Sequence, residues 1–527
     1  MNELELVLVL LAASTALAIV AERIHVPYPI VLVAGGLVLA LVPGLPHVGL
    51  PPSLVLLTFL PPLLFGAAWL TSWRDFAANR RAIGLLAIGL VLATTIGVAA
   101  VAHAVMPGMP WPVAFVLGAI VSPPDAVAAT AVMQRLHVPR QIVTVLEGES
   151  LVNDATGLVA YQLALSAVVG TGFSLSTAAA RFALVGLGGA LFGLAVGWVV
   201  AQVHRRLDDF LVETVITLLT AYVAYIPAEH LGVSGVLATV TAGGYLGWRN
   251  PELLSPLTRL RSRTVWAVLV FLFNSLVFIL IGLELASARD RIAALPLGPL
   301  LGACAAVVGA TIAIRLAWVP IAAFLPRWLS PRVRAREPAP EWRQIGLLGW
   351  TAMRGIVSLA LVLALPTRLP DGAPFPFREQ IVLVVFAVIA VTLVGQGLSL
   401  PPLIRRLGFV DDGADLRQER VGLLRASERA LERLDELDRT SIIMPWLVER
   451  LRGLYEERLH RLQSSVRDDP ECRLSEGEQQ AYQRLRNELI EAERRAVVAL
   501  RNEGAISEEI LHRLQRDLDL EALQPLR

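Results

Sequence analysis

Four acidic residues and one arginine lie inside stretches of sequence that are otherwise almost entirely apolar. The acids are Asp125, Glu147, Glu149 and Asp154, and the arginine is Arg354. An ionisable side chain inside a bilayer costs about 2.5 to 3.5 kcal/mol on insertion scales, so each one is a hypothesis about function. Four acids in two consecutive apolar stretches are hard to explain as solvated helix ends. These residues are therefore the first candidates for chemistry.

The apolar stretch centred near residue 155 combines carboxylate, amide and hydroxyl side chains. In a helix, Ser150 and Asp154 lie on one face, and Glu149 lies above Asn153 on the neighbouring face. These side chains offer hard oxygen donors that suit a small, hard cation, whereas a soft metal prefers thiolate or imidazole ligands. Counted from Gln141 at 1.5 Å per residue, Asp154 lies about 20 Å along the helix, near mid-membrane. The pattern predicts a cation site at Asp154.

The preceding apolar stretch is interrupted by the sequence Ser122-Pro123-Pro124-Asp125. Two prolines in mid-span remove backbone hydrogen bonds and force a break in the helix. Unwound backbone at membrane depth is tolerated where it lines a cavity, and its free carbonyl groups can bind cations. Two prolines alone are a weak signal, but Pro-Pro-Asp beside a second acidic stretch strongly indicates a cation site.

Arg354 is flanked by glycines in a later apolar stretch, in the sequence Gly349-Trp350-Thr351-Ala352-Met353-Arg354-Gly355. An unpaired arginine there would be costly, so it needs an acidic partner, and we favour Glu149 over Glu147. We interpret Arg354 as a structural clamp that holds the site without binding the ion. Arg315, in the stretch before it, has a similar but weaker pattern; it could also extend to the membrane surface or cap the ends of broken helices.

Composition predicts a membrane protein. The 527 residues are 55% hydrophobic with a mean hydropathy of +0.61, which is too apolar for a soluble protein. The net charge is +1 and there is no polybasic stripe, so nucleic acid is not an expected partner. About thirteen apolar runs of about 17 to 25 residues lie between residues 4 and 400, each able to cross a hydrocarbon core of about 30 Å. Lipid cannot satisfy backbone groups, so we predict an all-α polytopic membrane protein.

Arginine is concentrated in alternate loops, with 17 residues in one set and 5 in the other. The positive-inside rule makes the first set cytoplasmic, which puts the N-terminus outside the cell and the C-terminus inside. After about residue 404 the composition becomes charged, with apolar positions three and four residues apart. We therefore predict a membrane domain over residues 1–404 and a helical cytoplasmic tail over residues 405–527.

Four segments resemble the cation:proton antiporter-1 family, which includes bacterial sodium/proton antiporters and animal sodium/proton exchangers. In chain order they are Phe59–Phe65, Ser122–Ala129, Gly148–Asp154 and Met353–Gly355, spread over most of the membrane domain. The resemblance implies two inverted repeats of six helices, about spans one to six and eight to thirteen. It also implies that broken helices five and twelve cross near mid-membrane, and that the protein is a homodimer.

The same resemblance implies roles for individual residues. Asp154 matches an aspartate that binds the cation or the proton, supported by the residues that match Ser150 and Asn153. The match of Asp125 lines the same cavity. The backbone carbonyl of Pro124 is a further candidate ligand; many members place proline after that aspartate, whereas this chain has Pro124 before it, which leaves open which backbone carbonyl faces the ion.

A buried ion pair is the last feature that the resemblance implies, formed by the residues matched by Glu149 and Arg354. The expected function is secondary active exchange of Na⁺ for H⁺ by alternating access at Asp154, with Na⁺ bound at Asp154 and Ser150. A carboxylate in a dehydrating cavity can hold a proton or a cation near neutral pH, and competition for one site is exchange. Asn153 stands where an electrogenic relative has a second aspartate, which implies one ion for one proton without net charge movement.

Other functions are weighed against this one. Potassium/proton exchange is the main alternative, because selectivity among Na⁺, Li⁺ and K⁺ depends on cavity size. A cation channel is a weaker alternative, because the sequence has no selectivity-filter pattern of repeated carbonyls. A membrane hydrolase would need paired aspartates or zinc ligands, and no His-Glu-x-x-His motif occurs. We expect no enzymatic activity and no cofactor, and we expect a cell (inner) membrane location in contact with lipid.

Overall fold

The computed structural model describes residues 3–40, 52–136, 138–170, 175–207, 209–292, 297–336, 339–409, 414–440, 444–466, 476–503, 505, 510–511, 514–515 and 518. Within these ranges the regular elements are helices, and the only β-type pairing is an isolated bridge between Arg368 and Pro374. The predicted all-helical class is confirmed for this part of the chain.

The helices are numbered in chain order, and two π-helical segments, Leu85–Leu90 and Val391–Gln396, lie among them. They are α1 (Glu3–Arg23), α2 (Tyr28–Leu39), α3 (Pro52–Leu70), α4 (Trp73–Ala78), α5 (Arg80–Gly84), α6 (Val91–Val105), α7 (Trp111–Val121), α8 (Val127–Arg135), α9 (Arg140–Val168), α10 (Leu175–His204), α11 (Phe210–His230), α12 (Gly235–Leu253), α13 (Pro256–Ile292), α14 (Leu297–Leu329), α15 (Pro331–Arg336), α16 (Trp342–Trp350), α17 (Ile356–Leu363), α18 (Arg378–Ala390), α19 (Gly397–Leu407), α20 (Ala414–Thr440), α21 (Pro445–Val466) and α22 (Glu476–Asn502).

Six helical segments of the described residues are long and apolar enough to cross a membrane, and three shorter apolar helices accompany them. Large apolar side chains on their outer faces are exposed, as Leu184, Leu187 and Leu191 are on α10. An apolar exterior is what a lipid-facing helix requires. The protein is therefore a multi-pass membrane protein, while the count of thirteen spans stays a prediction. The six long segments are Arg80–Val105, Ala180–His204, Phe210–His230, Thr258–Glu284, Gly298–Leu329 and Arg378–Leu407.

The chain divides into two compact units, Met1–Val410 and Asp411–Arg527. In the second unit, α20 and α21 pack against each other, and Arg452 forms an ion pair with Asp435 at 2.7 Å. The functional boundary expected near residue 404 stays a prediction.

Two helices of the first unit are interrupted in the protein interior. The first interruption separates α7 from α8 at Pro123 and Pro124, which lack the N–H groups needed to continue a helix. The second separates α16 from α17 between Trp350 and Ile356. Both interruptions are lined by buried residues, and α17 packs against α7. The break predicted at the proline pair is confirmed.

Helices α2 and α13 pack closely because glycines face each other where they meet. A Cβ atom added at Gly36 would meet the backbone of Ile279 and Gly282, and one added at Gly282 would meet the backbone of Val33. Only a glycine fits at such a close approach of two backbones. This contact fixes α13 beside the cavity described below.

Candidate functional site

The two helix breaks lie directly against each other. The backbone N–H of Asp125 donates to the carbonyl oxygen of Met353 at 2.8 Å. The hydroxyl of Ser358 on α17 donates to the carbonyl oxygen of Ile120 at 2.8 Å. Ile120 lies in the last turn of α7, where carbonyl groups have no partner within the helix. Each broken helix therefore satisfies polar groups that the other leaves open.

Asp125 caps the half-helices on both sides of this crossing. Its Oδ1 accepts a hydrogen bond from the N–H of Val127 at 2.9 Å, at the start of α8. The same carboxylate accepts a hydrogen bond from the N–H of Ile356, at the start of α17. Helix N-termini carry partial positive charge and stabilise a nearby anion. A Cβ at Gly355 would overlap the Asp125 carboxylate, so glycine is required there.

Asn153 ties α9 to the first break. Its side chain is fully buried, and its Nδ2 donates to the carbonyl oxygen of Pro124 at 2.8 Å. The carbonyl that was a candidate ion ligand therefore already accepts one hydrogen bond. Its second lone pair is still free to face an ion.

A cavity of about 610 Å³ lies between the two helix breaks and helices α2, α3, α9 and α13; we call it the central cavity. Four of the five predicted ion-binding residues line it. The fifth, Asn153, does not line the cavity but is hydrogen-bonded to Pro124, which does. Ser150 and Asp154, one helical turn apart on α9, face it together. The four lining residues are Pro124, Asp125, Ser150 and Asp154.

A second, outer cavity of about 750 Å³ adjoins the central cavity. The two share Leu70, Thr71, Gln134 and Glu147 in their walls, so they lie side by side. Arginines from loops predicted to be cytoplasmic line the outer cavity. They are Arg140, Arg259 and Arg263.

Glu149 pairs with a different arginine from the one predicted. Both of its carboxylate oxygens bind the guanidinium of Arg315 on α14, at 2.5 Å and 2.9 Å. Glu149 is 1% exposed and Arg315 is fully buried, so this is a desolvated, bidentate ion pair. Arg315 Nε also donates to the carbonyl oxygen of Leu348 at 3.1 Å, near the end of α16. The predicted pairing of Glu149 with Arg354 is wrong.

Arg354 instead serves the helix break. Its Nε donates to the carbonyl oxygen of Val121 at 2.9 Å, and its Nη1 donates to the carbonyl oxygen of Ala352. Its backbone N–H donates to the hydroxyl of Thr392 at 3.1 Å. The physical reason is the break itself, because it leaves carbonyl groups that need donors, and a guanidinium has five. Arg315 therefore forms the ion pair expected of Arg354, and Arg354 caps the broken helix as was considered for Arg315. Arg354 remains within electrostatic range of Glu149.

Neutral polar residues of the cavity wall were missed by the sequence reasoning, which searched for charges. Tyr28 on α2 and Asn274 on α13 both line the central cavity. Asn274 and Ser275 are the polar pair in a long apolar run, which is the signal that could have identified them. In the described part of the chain, no group of three or more His, Cys, Asp or Glu side chains is placed to hold a resident metal ion.

The sequence is similar to known sodium/hydrogen exchangers. The family profile described as "Sodium/hydrogen exchanger, transmembrane" matches residues 9–406. An uncharacterized Na(+)/H(+) exchanger of Mycobacterium bovis is 34% identical, over 99% of this chain and 96% of that protein. A sodium, potassium, lithium and rubidium/H(+) antiporter of Bacillus subtilis is 34% identical, over 76% of this chain and 62% of that protein.

The fold is similar to that of a solved structure. The sodium proton antiporter MjNhaP1 from Methanocaldococcus jannaschii at pH 8 superposes with a TM-score of 0.58, covering 77% of this chain and 99% of that one, at 18% identity. The family profile extends over both helix breaks and the acidic residues of α9. The chain therefore belongs to the sodium/hydrogen exchanger family of cation:proton antiporters.

Proposed function

We propose that this protein exchanges Na⁺ for H⁺ across the cell membrane, with Asp154 as the group that binds each ion in turn. The observation that carries the proposal is the charge of the central cavity. Asp154, Asp125 and Glu147 line it, and no Lys, Arg or His is among its described lining residues. A carboxylate without a fixed cationic partner in such a cavity needs a proton or a metal cation to balance it.

The surroundings of the two aspartates support a single exchanging group. Asp125 is held by the N–H groups of Val127 and Ile356 at two helix N-termini. Asp154 receives no such hydrogen bond from the described residues and faces the cavity beside Ser150. If Asp154 alone changes its occupant, one Na⁺ replaces one H⁺, and the cycle moves no net charge. The neutral amide of Asn153 behind the site agrees with this one-for-one stoichiometry.

The proposed architecture follows from the sequence pattern. It comprises about thirteen spans in two inverted six-helix repeats, an external N-terminus and a cytoplasmic tail, and two copies that form a homodimer in the inner membrane. The occurrence of one broken helix in each half of the first unit supports the repeat. The arginines of the outer cavity support an opening toward the cytoplasm. Alternating access would then expose Asp154 to each side in turn, and we propose that the exchange serves pH homeostasis.

Potassium/proton exchange is the second candidate. A cavity of about 610 Å³ is far larger than any alkali cation, so its size alone does not reject K⁺. The relative from Bacillus subtilis is named as an antiporter of potassium as well as sodium, which supports testing that ion in this chain.

The test is proton movement in proteoliposomes that hold the purified protein and a pH-sensitive dye. We expect addition of Na⁺ to dissipate an imposed pH gradient, with K⁺ less effective and choline without effect. Clamping the membrane potential at zero should leave the rate unchanged, because the proposed cycle is electroneutral. Equal responses to Na⁺ and K⁺ would reject sodium selectivity, and a rate that follows the imposed potential would reject electroneutrality.

A further inference from the structure

Asn274 of α13 is a buried polar side chain with an unused oxygen. It is 2% exposed, and its Oδ1 has no hydrogen-bond partner. It nevertheless lines the central cavity together with Asp154 and Ser150. A buried amide oxygen without a partner is unfavourable, so the burial of this oxygen requires an explanation. A ligand that enters the cavity would provide the missing partner.

The amide is held in place by its neighbours. Its side chain is hydrogen-bonded with that of Tyr28 on α2. The ring of Tyr28 is fixed by Phe271 and Phe278 of α13, with ring centroids at 5.7 Å and 6.5 Å. The close glycine contact between α2 and α13 keeps the two helices together. A ligand oxygen is most effective when it is positioned in advance in this way.

The residues already assigned to the ion leave room for another neutral oxygen. The carboxylate of Asp125 accepts hydrogen bonds at two helix N-termini, and the Pro124 carbonyl accepts one from Asn153. Hard cations are bound by several oxygen ligands, among which amide carbonyls are common. A neutral amide adds a ligand without changing the charge of the site, and the one-for-one exchange is preserved.

We propose that Asn274 is a further ligand of the transported alkali cation, reaching it from α13 while Asp154 and Ser150 bind it from α9. The inference rests on the proposed function and deepens it by adding a residue of α13 to the cation site. Asn274 contributes to cation binding and has no part in binding the proton.

The test is the variant Asn274→Leu, which keeps the approximate size of the side chain and removes its oxygen. In proteoliposomes we expect the apparent KM for Na⁺ to rise about tenfold, a modest loss for one ligand, with the maximal rate within about twofold of wild type. Purified in detergent without Na⁺, the variant should melt at the same or a higher temperature, because an unpaired polar group has been removed. The rise in melting temperature caused by added Na⁺ should be smaller than in wild type.

Ser275→Ala is the matched control. Ser275 is the next residue on α13, is fully buried, and has a hydroxyl without a hydrogen-bond partner, but it does not line the cavity. Its removal should leave both the KM for Na⁺ and the sodium-dependent melting shift unchanged. If Asn274→Leu is not recovered as folded protein, Asn274→Ala replaces it, with the same expectation for KM.

A wild-type KM and a wild-type sodium-dependent melting shift in the Asn274 variant would overturn this inference. A lower maximal rate with unchanged KM would also overturn it, because that result indicates a structural role. Either result, together with sodium/proton exchange by the wild-type protein, would leave the proposed function intact. Failure of the wild-type protein to exchange any alkali cation for protons would instead reject the proposed function itself.

Discussion

At the scale of single residues, the central cavity places two aspartates in unlike surroundings. Asp125 faces the N-termini of α8 and α17, and both half-helices donate a backbone N–H to its carboxylate. Asp154 lies on the continuous helix α9 beside the hydroxyl of Ser150. Hydrogen bonds hold the Asp125 carboxylate at the helix ends, whereas Asp154 receives none from the described residues, which supports the proposal that Asp154 is the group that exchanges its occupant. The proposed division of roles rests on this difference in hydrogen bonding and needs no difference in residue type.

The Glu149–Arg315 pair gives a prediction at the same scale. Glu149→Gln or Arg315→Met alone should destabilise the protein by about 3 to 5 kcal/mol, because each leaves one buried charge unpaired. The double variant should be markedly more stable than the sum of the two losses predicts. Melting temperatures of the four purified proteins measure this coupling.

Arg354→Met provides the comparison for that cycle. Because Arg354 donates to Val121 and Ala352 rather than to Glu149, its coupling with Glu149→Gln should be much smaller. A stronger coupling of Glu149 with Arg354 than with Arg315 would restore the pairing that the sequence suggested, and would contradict the observed geometry.

At the scale of elements, the site depends on the crossing of two broken helices. Proline has no N–H to donate, so the break after α7 can be predicted from Pro123 and Pro124 alone. The contact between the breaks cannot, because it joins residues such as Ile120 and Ser358, which are 238 positions apart. Periodicity also cannot show which arginine reaches Glu149, since that depends on how α9, α14 and α16 pack in space.

Gly355→Ala tests the crossing. The added methyl group would overlap the carboxylate of Asp125, which must then move away from the start of α17. We expect exchange to fall by at least about tenfold and the melting temperature to drop, as overpacking of a buried site costs about 1 to 3 kcal/mol. The measurement is exchange in proteoliposomes together with thermal unfolding of the same preparation.

Gly346→Ala is the control for this substitution. Gly346 lies on α16 of the same broken helix, and a Cβ added there meets nothing within 4 Å. Its exchange rate and melting temperature should equal those of wild type. Wild-type behaviour of Gly355→Ala as well would show that the Asp125 carboxylate does not approach the second break.

At the scale of the whole molecule, composition and four short segments were sufficient to predict a membrane-embedded antiporter, and the family assignment is confirmed. Apolar runs of spanning length predict helices because a helix satisfies its backbone hydrogen bonds within the run itself, where lipid offers no partners. The neutral wall of the cavity was not predicted, because residues such as Asn274 carry no charge and gain significance only through burial without a partner.

The separation into two units predicts the effect of truncation. All residues assigned to the cation site lie in the unit that ends at Val410. A protein that lacks residues 411–527 should therefore still exchange Na⁺ for H⁺, with a shifted pH dependence or a less stable dimer. Exchange measured at several values between about pH 6 and 9, where carboxylates and histidines in proteins can titrate, tests this expectation. Correctly inserted, dimeric protein without exchange at any of these values would show that the second unit belongs to the transport machinery.

The central claim is that Asp154 binds the cation and the proton in turn, and Asp154→Asn tests it most directly. The replacement keeps the shape of the side chain and removes its charge and its titration. Sodium-driven proton movement is measured in proteoliposomes for wild type, Asp154→Asn and Glu252→Gln, the last being an exposed acid that pairs with Arg249 outside the central cavity. We predict wild-type exchange for Glu252→Gln and none for a folded, inserted Asp154→Asn. Exchange by Asp154→Asn near the wild-type rate would contradict the claim.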